Sequence, residues 1–218
     1  MKRLLLSLPL LCLCTLVQAK VVMPRFFADG MVLQQQTECR LWGTATPGAP
    51  LVVTASWTHG KWKSRVNADG SFSITITTPT AGGPFTISID DGEKTMLSNV
   101  LVGEVWICSG QSNMEMPLGG FWNCPVEGAN ETIARCGRYA DAIRVATIEK
   151  RDAETPQKKV AGRWEKTTPK TAGRFSACGY YFAETVHEVL DVPVGIINCS
   201  WGGSCVEGWL PKDTLLTY

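Results

Sequence analysis

Val105-Trp106-Ile107-Cys108-Ser109-Gly110-Gln111-Ser112-Asn113-Met114-Glu115-Met116 decides how this chain is read. Its first four residues are apolar and β-prone, as in a strand buried on both faces of a parallel sheet. The run then stops at small and polar residues. Gly110 permits a sharp turn that a Cβ would resist. Ser112 follows, just past the carboxyl end of the strand, where open α/β sheets place their ligand chemistry.

A serine held there, beside backbone N–H groups at a helix start, is able to attack an acyl carbon while those groups hold the oxyanion. A plain strand-to-helix turn with Ser112 as its N-cap fits the same pattern. The usual nucleophile elbow is G-x-S-x-G, and Met114 stands where its second glycine belongs. A rival serine is Ser200, in Asn198-Cys199-Ser200-Trp201-Gly202, with Asn198 in place of the elbow's first glycine.

Beyond this stretch, strands and helices alternate. Ala142–Ile148 and Val194–Asn198 read as strands and Ser176–Leu190 as a helix ended by Val192-Pro193. That alternation predicts a parallel sheet with helices on both faces, and a sheet edge left open at Val194–Asn198. Met116–Arg138, rich in Gly, Asn and Pro, reads as a long loop over the site. Before it, Lys20 to about Asn99 alternates with period two over Cys39–Thr44, Leu51–Trp57, Lys61–Val66, Ser71–Thr77 and Pro84–Asp90, with turn signals between, which predicts a small β-sandwich. Trp42, Trp57, Trp62 and Phe72 fall on those strands; core packing is favoured for them over a sugar-stacking face.

The first nineteen residues read as a secretory leader: Lys2-Arg3, the apolar Leu4–Val17, and a small-x-small site at Val17-Gln18-Ala19. The apolar run is shorter than the ~20 residues needed to span a bilayer, so no membrane association is expected after cleavage. The whole chain carries a net charge of +1, and without Lys2 and Arg3 the balance is 19 basic to 20 acidic side chains. With no basic stripe, nucleic-acid binding is not expected. Nine cysteines are present, seven of them after the leader. No C-x-x-C occurs, so a zinc site is not expected, and no cofactor is implied. Cys108, Cys178 and Cys199 lie in apolar segments and read as buried thiols. Cys124 and Cys136, in the loop-like region, are the disulfide candidates.

Four ordered blocks resemble the sialate O-acetylesterase family of SGNH-type carbohydrate esterases. They are Asp29-Gly30-Met31-Val32-Leu33-Gln34, Gly110-Gln111-Ser112-Asn113-Met114, Phe175-Ser176-Ala177-Cys178-Gly179-Tyr180-Tyr181-Phe182, and Val194–Ser204 ending in Gly202-Gly203-Ser204, with Glu207 and Trp209 after it. The resemblance implies residues 20–99 as an all-β sandwich and 100–218 as part of an incomplete α/β/α SGNH-hydrolase (flavodoxin-like) parallel-sheet domain. It implies Ser112 as nucleophile, the N–H groups of Ser112 and Gly203 as oxyanion hole, and Gln111, Asn113 and Trp209 against the substrate.

The implied activity is removal of O-acetyl groups from carbohydrate by a secreted or periplasmic enzyme, with sialic acid first and xylan or another polysaccharide as the alternative. A carbohydrate-binding β-sandwich carrying a non-functional esterase remnant is the reading from another class. The family carries Asp and His together, as D-x-x-H or D-x-H. After Asp213, Leu215 and Leu216 stand where that histidine belongs, so a C-terminally shortened and inactive chain is expected.

Export is expected to remove the leader after Ala19. Mass spectrometry of protein collected outside the cytoplasm should find Lys20 at the N-terminus; an intact chain in the cytoplasm would contradict this.

Overall fold

A computed structural model of the protein describes residues 20–155, 157 and 160–217. The leader expectation lies outside the described residues. Ten strands form: β1 Val32–Gln34, β2 Glu38–Thr44, β3 Pro50–Ala55, β4 Lys61–Arg65, β5 Ser71–Thr77, β6 Gly82–Asp90, β7 Lys94–Gly110, β8 Ile143–Ile148, β9 Gly162–Lys166 and β10 Val194–Ser200. Three helices matter below: α1 Ser112–Glu115, α2 Ala129–Arg135 and α3 Ala177–Leu190.

β7 organises the rest. Its 17 residues belong to two pairings in succession. Lys94–Val102 runs antiparallel to β6, and Leu101–Gly103 pairs with the short parallel strand β1. From Glu104 to Gly110 it runs parallel to β10. The change of sequence pattern near residue 100 therefore falls inside one unbroken strand. At that junction Val100, Leu101 and Val102 are all buried, because layers close over both faces there.

The sheet order is β4-β3-β6-β7-β10-β8-β9, and β2 and β5 make a separate antiparallel pair. Alternating residues of β2 and β5, such as Leu41, Ile74 and Ile76, share one apolar cluster with Leu51, Val53, Ile87 and Ile89 of the larger sheet. Phe72 is buried in it, and Trp42, Trp57 and Trp62 pack against it half-exposed.

The second apolar cluster lies where α3 packs on β8 and β10, with Tyr180 and Ala183 against Ile143, Val145, Val194 and Ile196. Ser176 starts α3, its Oγ accepting the Gly179 N–H at 3.1 Å. Asp191, in the left-handed conformation, ends it.

Several expectations change. Helices do not cover both faces of the parallel strands. On the face away from α3, Ala146, Val105, Ile197 and Trp164 pack into the cluster of the N-terminal strands. Gly195 makes this close approach possible, since a Cβ there would sit 2.7 Å from the Val32 Cβ. β10 is not an edge: it lies between β7 and β8, paired with both. The half of β7 from Glu104 onward carries the open side, with Ile107 71% exposed. Met116–Arg138 is not loop throughout, for it contains α2.

All seven described cysteines are free. Cys136 is buried, with its Sγ on the Ile133 carbonyl at 3.0 Å, whereas Cys124 is exposed in a separate turn, so the expected pair does not form. Cys178 is exposed rather than buried, because it lies on the outer side of α3.

One buried charge ties the two pairings of β7 together. Arg144, on β8 and 1% exposed, donates to the Asn99 carbonyl at 2.6 Å and to its Oδ1 at 2.9 Å. Asn99 sits in β7 at φ 55°, a left-handed conformation held by these bonds and by its neighbours. Ser98 N–H donates to Asp29 Oδ1 at 2.7 Å, which fixes the start of the Asp29–Gln34 block on the same bend. Arg144→Ala should lower the unfolding free energy by about 3 kcal/mol, through the cavity and the two acceptors left unpaired. Urea denaturation measures this, and a loss under about 1 kcal/mol would remove Arg144 from that role.

Candidate active site

The parallel pairing of β7 with β10 sets the site. The register runs to Ser200 opposite Gly110, so both strands end at one level and their following turns lie side by side. Trp201 N–H closes the pair by donating to the Gly110 carbonyl at 2.8 Å. One turn carries Gln111 and Ser112 into α1. The other carries Gly202 and Gly203.

Contact between the turns is direct. A Cβ built on Gly202 would stand 3.5 Å from Ser112 Oγ. It would also stand 2.7 Å from a Glu115 oxygen, so a side chain at 202 would push the Glu115 carboxylate from its place. Gly203 adopts φ 79°, a conformation that favours glycine for its backbone alone. Its N–H has no hydrogen-bond partner among the described residues, whereas the Gly202 N–H donates to Glu115 Oε2. Of the two glycines, then, Gly203 has the N–H left over for a ligand.

Ser112 is exposed at this edge, and its Oγ donates to Gln111 Oε1 at 3.1 Å. Gln111 thus acts as the cap of α1 and occupies the serine hydroxyl. Asn113 is exposed beside them. Trp209 comes from a 3₁₀ turn, Val206–Trp209, and its Nε1 donates to Ser204 Oγ at 2.9 Å, which lays the indole against the turn that holds Gly203. Ser200 is 7% exposed at the end of β10. A hydroxyl buried in that way is closed to substrate, and Ser112 is the open one of the two.

Neither histidine reaches this edge. The His187 Nδ1 bonds the Val192 carbonyl at 2.8 Å, and since a carbonyl only accepts, that nitrogen carries the proton. Its ring packs edge-on to Tyr139 at 5.6 Å. Val192 precedes the start of β10, so His187 sits at the opposite edge of the sheet, a strand length of about 20 Å from Ser200. His59 is exposed in the turn between β3 and β4, three strands from β7. Among the described residues no group of three or more His, Cys, Asp or Glu is arranged to hold a metal ion.

Glu115 and Lys150 were not legible as site residues. Glu115 closes the four-residue helix α1, and its carboxylate takes both the Gly202 N–H and the Lys150 ammonium. It therefore joins the two turns. Lys150 holds the carboxyl below its ordinary range chiefly by that hydrogen bond; partial burial works against this, and the Gly202 N–H and the Lys150 charge add to it. The one signal in the sequence is a Glu three residues after the candidate serine, and a capping or surface role accounts for that equally well.

No family model matches the chain. Sialate O-acetylesterase of Mus musculus is 28% identical to it over 200 residues, which cover 85% of this chain and 36% of that protein. The Homo sapiens sialate O-acetylesterase is 28% identical over 202 residues, with 84% and 38% covered. In fold, a crystal structure of a carbohydrate acetylesterase from Xanthomonas citri superposes with a TM-score of 0.82 at 31% identity, covering 90% of this chain and 44% of that one. The chain thus spans less than half the length of the relatives it matches, and its mixed sheet with α3 on one face resembles an SGNH-like esterase fold.

The Glu115 clamp has a pH signature. Its folded-state value lies below its unfolded one, so its contribution is complete above the ordinary Glu value of about 4.3 and is lost as pH falls through the lowered value. Glu115→Gln should be less stable than the parent at pH 7 by on the order of 1 kcal/mol, an allowance for solvent screening of a partly exposed pair. That gap should hold down to the ordinary Glu value of about 4.3 and shrink as pH falls below it in urea titrations. A gap that stays the same however far pH falls below that value would show that the carboxylate charge is not what holds the turns.

Over most of its length the chain is thus similar to part of the sialate O-acetylesterases and to part of a carbohydrate acetylesterase.

Proposed function

We propose that the protein acts in the hydrolysis of O-acetyl esters on carbohydrates, with Ser112 as nucleophile and acetylated sialic acid as first substrate. The observation that carries this reading is the meeting of an exposed serine with a Gly203 N–H that has no partner among the described residues, across the Gly110–Ser200 level of one parallel strand pair.

In this reading the Ser112 Oγ attacks the acetyl carbonyl carbon, and the carbonyl oxygen takes up negative charge between the N–H groups of Ser112 and Gly203. The C–O bond to the sugar then breaks, the sugar oxygen leaves with a proton, and acetyl-Ser112 remains. Water attacks that ester next and releases acetate. Gln111 and Asn113 flank the acyl group, and Trp209 forms a wall for the sugar ring. The same reading includes export of the chain and an N-terminal β-sandwich at residues 20–99 that backs the parallel strands.

A base must take the Ser112 proton. His187 and His59 are placed elsewhere, so the acceptor is sought in the D-x-x-H or D-x-H block that the resemblance implies for longer family members. The other substrate reading, acetylated xylan or a related polysaccharide, shares every residue named so far.

Two measurements test this. In a longer version of the protein that includes a D-x-x-H or D-x-H block, Ser112→Ala should cut acetate release from an acetylated sugar by on the order of 10³-fold or more, and Ser200→Ala should leave most of it. The 218-residue chain alone should release acetate no faster than its Ser112→Ala variant. Esterase activity of that chain that disappears in His187→Ala or His59→Ala would overturn the assignment of the base.

A further inference from the structure

A groove of about 480 Å³ opens between β4 and the end of β5, three strands away from β7 and the site at its tip. One wall belongs to the larger sheet. Trp62, on β4, stands in register opposite Val53 of β3. Val53 is fully buried in the cluster shared with the β2–β5 pair, so Trp62 faces that same layer. β4 is the outermost strand of its sheet, which leaves Trp62 half-buried rather than enclosed. Trp57, in the turn after β3, stands beside it with ring centres 6.4 Å apart. The facing wall is made by Thr77, the last residue of β5, and by Pro79, with Thr58 and Lys61 at the rim.

The two indoles are in different states. Trp57 Nε1 donates to the Thr77 carbonyl at 3.2 Å, which ties one wall to the other. The Phe85 ring also meets Trp57 edge-on at 5.4 Å, so that ring is held in place. Trp62 Nε1 has no hydrogen-bond partner among the described residues, yet it is not sealed away from solvent. An indole that merely closes the end of a core pairs its N–H, as Trp57 does. Trp62 keeps a donor for something that enters the groove. Across from it Thr77 is exposed, and its hydroxyl has no partner among the described residues. Lys61 forms no ion pair among them.

A wall of indole facing a wall of hydroxyl suits a molecule that is apolar on one side and polar along its rim. A pyranose ring has that form: C–H groups on its faces and hydroxyls around its edge. An indole N–H and an ammonium donate only, whereas a threonine hydroxyl donates and accepts, and sugar hydroxyls answer both. Proline-rich peptides dock between aromatic side chains, but here both indoles stand on one wall. The volume falls within the usual range of small-ligand clefts, about 300–1,000 Å³. We infer that this groove binds pyranose units of an uncharged glycan chain, with Trp62 Nε1 and the Thr77 hydroxyl as its specific contacts. The inference concerns binding alone and stands whether or not Ser112 is a nucleophile.

The 218-residue chain is titrated with xylohexaose, cellohexaose and mannohexaose, and with decaproline, by calorimetry and tryptophan fluorescence. At least one hexaose should bind with a Kd of about 1 mM or tighter, more tightly than decaproline. Added salt should leave that affinity unchanged, since the ligand carries no charge. Trp62→Ala should weaken binding at least tenfold. Thr77→Val, at an exposed position, should weaken it about threefold, the loss of one hydrogen bond. Circular dichroism checks that each variant is folded, and should Trp62→Ala unfold, Thr77→Val decides. Ser112→Ala should bind as the parent does, which separates this inference from the hydrolytic one. Absence of saturable binding by all three hexaoses, tighter binding of decaproline, or unchanged affinity in the folded variants would overturn it.

Discussion

The continuous hydrogen-bonded run of β7 is the constraint on which the other parts depend. One strand leaves an antiparallel pairing with β6 and enters a parallel pairing with β10 without a break. A rigid strand cannot serve two sheets unless both are in fixed orientation, so the N-terminal strands become the cover for one face of the parallel ones. The buried Arg144 and the left-handed Asn99 sit where this change takes place. A buried guanidinium is costly unless its donors are met. Here it meets two acceptors of one residue, and its Nε is left without a partner among the described residues. The junction is thus held by a charge whose removal leaves several groups unsatisfied at once.

From that junction the site follows by register alone. β7 and β10 are aligned over seven residue pairs, and the last pair, Gly110 with Ser200, fixes how far each turn projects. A slip of one residue would turn Cys108 away from the α3 side and put Ile107 in its place. The chemistry proposed for Ser112 therefore depends on packing well below it, where Val194 and Ile196 are locked between α3 and the strands. Glu115 adds a local correction at the top, binding one turn to the other where the sheet itself has ended.

Much of this was legible because it rests on local pattern. Period-two alternation located β2 to β6 to within a few residues, and the helix over 176–190 showed its face and its stop signal. The resemblance blocks pointed at Ser112 and Gly203, and the structure brings those two turns together. What stayed hidden depends on partners distant in sequence. β7 reads as two elements because its burial changes from one-sided to two-sided halfway along. β9, five residues with Trp164 as its buried member, offers too short an alternation to register. Arg144, in an otherwise apolar strand, looks like the polar side of an exposed face; only Asn99 and Gly30, far earlier in the chain, make it interior. The cover of the second face was misassigned to helices, since βαβ alternation says nothing about a preceding unit that packs there instead.

The central position of β10 has a temporal side. Of the ten described strands it comes latest in sequence, yet β7 and β8 have no pairing with each other except through it. While the chain is being made, β7 with the strands before it and the β8–β9 hairpin are separate fragments. Their shared sheet closes only when Val194–Ser200 slots between them. Contacts so distant in sequence bring no return until a long loop has been closed. α3 is made just beforehand, and its apolar face has no parallel sheet to rest on until the same moment. A nascent chain that ends short of Val194 therefore presents the strand edge of Val105–Cys108 and the bare flank of Ile143–Ile148 together, and such edges are the ones other chains pair with. The strand that aligns the candidate active site is also the one that covers one side of β7 there and the bare flank of β8.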